Sequence, residues 1–343
     1  MASFSFLFAV AATLLLLLVV GGSTASAEVA VPVAADVPLY ALWSGLTSTF
    51  FNISTIDSST GAQGPQLYTS AEWVMLFPIT PAVDHQGKRL FAPLLSMAKQ
   101  EMALGVFDVS KVSTGQVTLE TTIKIGETYV MGLHYDPAGD QVWVIGTDMH
   151  KRASGVWVEL VDLSAGTSKR VATVPYGAVP AASGIGGAPT AFDQKNRLLV
   201  FPARTEGTSP HFYWTRLDVQ KLEWSNVTLD TLYPAAMAWD SESGLSYGLF
   251  SPASGNGGPL AFGTIDSLTG KVHDINQWDS TKFVFIVGSL AAYSPTKSQF
   301  YSVSGTGESP PVALLSASTV SGQLEHATYF SGREVQPSGL FCL

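Results

Sequence analysis

Residues 132–150 read GLHYDPAGDQVWVIGTDMH, and His134, Asp136, Asp140, Asp148 and His150 fall within them. Imidazoles and carboxylates this dense are the raw material of a metal centre or of acid–base chemistry. Position in the fold decides between that chemistry and a simpler use: Asp at a tight turn accepts hydrogen bonds from the backbone amides just after it. Asp136 and Asp140 bracket such a turn, PAG, between two apolar segments. His150 follows the second segment, about 15 Å from Asp136 if that segment is a strand rising roughly 3.3 Å per residue. The run is then dispersed in space, and turn chemistry is the reading.

The turn is one of a series. AVDHQGKRLF, HYDPAGDQVW, AFDQKNRLLV, AWDSESGLSY and AYSPTKSQFY share it, anchored at Asp84, Asp136, Asp193, Asp240 and Ser294 with spacings of 52, 57, 47 and 54. A second series ends an apolar run in Asp and a short polar tail: STIDSSTG, VFDVSKVSTG, LVDLSAG, RLDVQK, TIDSLTG and LLSASTVSG. Its anchors, Asp57, Asp108, Asp162, Asp218, Asp266 and Ser316, recur every 48 to 56 residues. Each period holds four short segments rich in Val, Tyr, Trp and Leu separated by Asp, Gly, Ser and Pro. That is a four-stranded antiparallel meander, and four strands per repeat of about 50 residues is the blade of a β-propeller. The chain starts its repeats at a second strand, Leu39–Trp43, and closes on SGLFCL (338–343), which has the pattern of a first strand. Joining the ends predicts six blades, all-β, with a ring that leaves no gap.

The TID-x-x-TG tail and the AxD-x-x-G-x-LxV start resemble secreted propellers of the NHL-repeat and gluconolactonase (senescence-marker protein) groups. The likeness spans about residues 39–343 and lies in the repeat, so it implies architecture alone.

Bulk properties narrow the partners. The chain carries 27 acidic and 18 basic residues, net −9, which disfavours nucleic acid and anionic lipid. It is 46% hydrophobic and 13% charged, against about 25% charged in an average domain; most elements must bury both faces. Residues 1–27 form an uncharged apolar run ending Ala25-Ser26-Ala27, a signal peptide, with an uncleaved anchor as the alternative. No stable membrane insertion is expected after cleavage, so residues 28–343 are read as one secreted domain, a monomer. A single cysteine, Cys342, leaves no intrachain disulfide. Asn52 and Asn226 head N-glycosylation sequons.

The connections between second and third strands, and the crossovers between blades, are uneven in length and fall on one face. That face is where recognition is expected, with Trp73, Glu127, His150, Arg204 and His211 as binding candidates. The six histidines, at 85, 134, 150, 211, 273 and 326, are too scattered for a zinc motif, and no GxSxG elbow exists. The resemblance to gluconolactonases implies a channel Ca²⁺ held by carboxylates and Asn at the innermost strand starts; here Glu127 alone is acidic. The expected function is therefore a non-catalytic module binding an extracellular protein or glycan, with no metal and no cofactor. The alternatives are a calcium-dependent lactonase or esterase and a purely structural matrix protein.

Overall fold

The computed structural model describes residues 38–44, 50–75, 79–126, 128–148, 156–173, 179–180, 189–204, 212–229, 232–240, 244–252, 260–278, 290–305, 312–330 and 337–343. Residues 1–27, expected as a signal segment, lie outside these. The described residues form six antiparallel sheets. The chain is a six-bladed β-propeller.

Blade one runs, from the centre outward, Pro337–Phe341, Leu39–Ser44, Phe51–Ile56 and Gln63–Ser70. Blade three follows the simple order Thr128–Asp136, Gln141–Asp148, Val156–Asp162 and Thr167–Thr173. Blades five and six do the same, opening with Leu232–Asp240 and Leu290–Ser294. In blades two and four the innermost strand is interrupted. Trp73–Val74 and Ala82–Asp84 both pair with Arg89–Ser96, and Val179–Pro180 and Ala191–Asp193 both pair with Leu198–Arg204. The sole described helix is a single 3₁₀ turn, Val112–Thr114.

The predicted clasp is present. Tyr40 pairs with Phe341, Ala41 with Leu340 and Leu42 with Gly339, and the Tyr40 and Phe341 rings stack at 5.2 Å. The strand also reaches blade two, where Ile79 N donates to Ser338 O at 2.8 Å; within blade one, Ser338 Oγ donates to Ser44 O at 2.8 Å.

Apolar residues gather between blades, which accounts for the low charge. One cluster holds Ala291, Phe300 and Leu315 of blade six against Leu249, Phe262 and Trp278 of blade five; another packs Trp143, Ile145 and Val158 of blade three on Phe192, Leu199 and Leu217 of blade four. Outer strands are largely exposed, as in Thr118–Lys124.

Each repeat turn places its fifth residue in the left-handed region: Lys88 (φ 55°), Asp140 (46°), Arg197 (57°), Gly244 (71°) and Ser298 (50°). The outer hairpins repeat the device with Gly61, Gly166, Leu222, Gly270 and Gly322, where glycine adopts such φ without a Cβ clash. This spacing corrects one anchor. In the last unit Ser318, not Ser316, occupies the Asp position: Gly322 N donates to Ser318 O at 2.8 Å and Ser321 N to Ser318 Oγ at 3.2 Å.

Candidate functional site

Two faces and a channel are candidates, and the turn anchors are best taken first because their carboxylates are buried. Asp136 is 0% exposed. It accepts from Ala138 N at 3.1 Å, as turn chemistry requires, but also from Trp143 Nε1 at 3.3 Å and from both ends of the Arg197 guanidinium of blade four, at 2.6 and 2.5 Å. Burial alone would raise its pKa; Arg197 outweighs that and holds the carboxyl below the usual range. Asp84 accepts from Gly87 N at 2.9 Å and from Arg89, whose Nη2 also reaches Asp140 of blade three at 2.6 Å. Asp193 accepts from Ser267 Oγ of blade five at 2.6 Å, and Asp240 from the Tyr293 hydroxyl of blade six. The repeat aspartates are thus latches between blades as well as turn caps. Their lone pairs are engaged.

The six innermost strands surround a cavity of about 180 Å³. Its walls include His134 and Tyr135 of blade three, Thr190 and Gln194 of blade four, Trp239 of blade five and Tyr293 of blade six. No Asp or Glu is among the described lining residues. Four titrating groups of the lining are driven to their neutral forms: burial pushes His134 down to about 3, and raises Tyr135, Tyr293 and Cys342 each to about 12; His85 completes the lining. His134 Nε2 lies 2.8 Å from Thr190 Oγ1. The ring is half-buried although protein surrounds it, because its open side faces the cavity.

Among the described residues no three His, Cys, Asp or Glu side chains come together. The calcium alternative rests on Glu127, which lies outside the described residues. The described starts of the innermost strands carry Thr80-Pro81, Thr128, Pro189-Thr190, Ala235-Ala236 and Ser338, none of them a carboxylate.

On the face opposite the Asp turns, the expected binding residues separate. Trp73 is not in a loop: it stands on the interrupted inner strand of blade two opposite Ser96, is 8% exposed and belongs to the core, so its ring packs instead of offering a platform. Arg204 also ends a strand, paired with Phe212 and Val179; its side chain is outside the described residues. Glu127, His150 and His211 lie outside them entirely. The connection between the second and third strands of blade two is short: two strand ends joined by the four-residue turn 97–100. Of the two sequons, Asn226 is exposed on the outer strand Glu223–Leu229, whereas Asn52 is 7% exposed and accepts from Gln63 Nε2 at 3.3 Å.

His134 and Thr190 were not singled out as a site by sequence reasoning. A signal existed: two residues before the anchor, the repeat reads Ala82, His134, Ala191, Ala238 and Ala292. The histidine is the lone polar exception.

No family model matches the sequence, and no curated protein matches it. Solved structures do. TolB from Acinetobacter baumannii superposes with a TM-score of 0.56 at 16% identity, covering 88% of this chain and 66% of TolB, just under two thirds of that protein. A putative 6-phosphogluconolactonase from Bacteroides fragilis gives 0.48 at 14% identity, over 87% and 84% of the two chains. The propeller of Dos1 gives 0.44 at 14% identity, over 82% and 68%. At such identities the likeness establishes the fold. The resemblance to propeller proteins holds at the level of architecture.

Proposed function

We propose that the protein is a secreted, non-catalytic binding module whose partner, an extracellular protein or a glycan, docks on the face formed by the second-to-third strand connections and the crossovers. The observation that supports this reading is the commitment of the anchor carboxylates. Asp84, Asp136 and Asp193 have their oxygens taken by amides, guanidinium groups and Ser267, so the short hairpin face spends its polar groups on holding the ring together. A rigid disc with one face so occupied presents its uneven face for recognition. Under this reading the module acts as a monomer and requires no cofactor.

The test begins with capture by the immobilised chain from extracellular fluid and on a glycan array. Alanine at Glu127, His150, Arg204 and His211 together should weaken capture at least tenfold with an unchanged melting temperature. Alanine at Lys221, on the hairpin face, should leave it intact. Unchanged capture by the quadruple variant overturns the choice of face; no enrichment in either format favours a structural matrix role.

A further inference from the structure

The central channel has features that neither the scaffold nor a loop-face partner explains. Four of the six blades place alanine at one level of the channel, Ala82, Ala191, Ala238 and Ala292, all at most 8% exposed. Blade one has Phe341 there, identified by its pairing with Tyr40. Blade three has His134. A close-packed interior fills such space with larger side chains; here the small ones leave about 180 Å³. A cavity of about 150 Å³ already admits a small ring molecule, and water in bulk takes about 30 Å³ each, so the room is about six waters' worth.

The polar groups at this level are few and aimed. Thr190 Oγ1 is bonded to His134 Nε2, which orients the ring within the cavity wall. A Cβ on Gly132 would come within 2.1 Å of Thr190 Oγ1, so the glycine beside them makes room for the pair. Gln194 adds an amide to the lining, and Trp239, in the same wall, has its Nε1 buried without a partner among the described contacts.

We propose that the channel is a binding site for a small uncharged, hydroxyl-bearing molecule of monosaccharide or cyclitol size, held by His134 against the alanine-walled space that Thr190 keeps in register. Charge is what the site rejects. A carboxylate, phosphate or ammonium entering it meets the neutral imidazole of His134, neutral phenols and a second imidazole, His85, already engaged in an interaction of its own, and so loses its hydration without a free counter-ion. A hydroxyl can both donate and accept, so it suits a histidine of either tautomer. The proposal does not depend on the loop-face partner.

Isothermal titration of the full chain with D-glucose, myo-inositol and the anion D-glucuronate tests this. At least one neutral probe should bind, with glucuronate at least tenfold weaker. His134→Phe, which keeps a ring but no nitrogen, should weaken the neutral probe at least tenfold. Should that variant fail to fold, Ala292→Leu, which fills the cavity from another blade, should abolish the same binding. The proposal is overturned if neither neutral probe binds, if glucuronate binds as tightly, or if both folded variants bind unchanged. Loss of capture in the loop-face variants with sugar binding intact would separate the two sites.

Discussion

Arg197 and Asp136, 61 residues apart, meet across a blade boundary as a bidentate pair with Nη1–Oδ1 at 2.6 Å and Nη2–Oδ2 at 2.5 Å. Asp136 is 1% exposed at its side chain and Arg197 24%. The pair therefore operates in a setting where water competes weakly, and it fixes the angle between two sheets.

Removing one partner strands the other. Asp136→Ala should cost about 3 kcal/mol of unfolding free energy, because a buried guanidinium contact is left uncompensated. The double change with Arg197→Ala should cost clearly less than the sum of the singles. Urea denaturation of the four proteins measures the coupling, and additive losses would show the latch to be ornamental.

Acid should loosen the ring in two stages. The folded pKa of His134 is lowered from 6.5 to about 3 by burial, so between those values the unfolded chain binds a proton that the folded chain refuses. Stability then falls as pH falls through that window, by up to about 1.4 kcal/mol per unit. Asp84 and Asp136, held below the ordinary 3.8 by their arginines against the opposing effect of burial, contribute stability above that value and lose it below. His134→Phe should lose about 2 kcal/mol less than the native chain between pH 6.5 and 5, while keeping the steep loss below pH 4. Denaturant midpoints across pH decide it.

Closure is testable at Leu340, which is 0% exposed between blades six and one. Leu340→Ala should cost about 3 kcal/mol through lost burial and the cavity left behind. Removing residues 337–343 should do more: it bares the inner edge of Leu39–Ser44, and open edges recruit other chains. Size-exclusion chromatography should show self-association of the truncated protein.

In a eukaryotic host the sequons should part ways. The exposed Asn226 should carry the glycan and the buried Asn52 should not, so Asn226→Gln should remove the mass shift that endoglycosidase treatment removes. A shift retained in that variant would place the glycan at Asn52.

Most of the architecture was readable because the turn chemistry is stated over and over. An Asp followed four residues on by a left-handed position marks the hairpins at Asp84–Lys88, Asp136–Asp140, Asp193–Arg197 and Asp240–Gly244, and these set the blades. Where serine replaces aspartate the mark blurs, which is why the last anchor was read at Ser316 instead of Ser318. The inner strand pieces Trp73–Val74 and Val179–Pro180 are too short to show alternation, so Trp73 was read as loop. The interblade role of the aspartates was illegible, since it depends on partners from other repeats, such as Arg197 for Asp136 and Ser267 for Asp193. His134 was hidden for a different reason: its chemical neighbours in sequence, Asp136 and Asp140, are turned away to latches, and its true partner Thr190 stands 56 residues on.

The clasp of Phe341 on Tyr40 carries a consequence for biogenesis. Five sheets can assemble in the order the ribosome delivers them, but the one that begins first must wait for its innermost member until the very end. At about 5–20 residues per second, some 300 residues of synthesis impose a delay of about 15–60 s. Through that interval the nascent polypeptide holds a bare apolar edge, and a holdase has a defined segment, residues 39–44, to shelter until the last strand arrives.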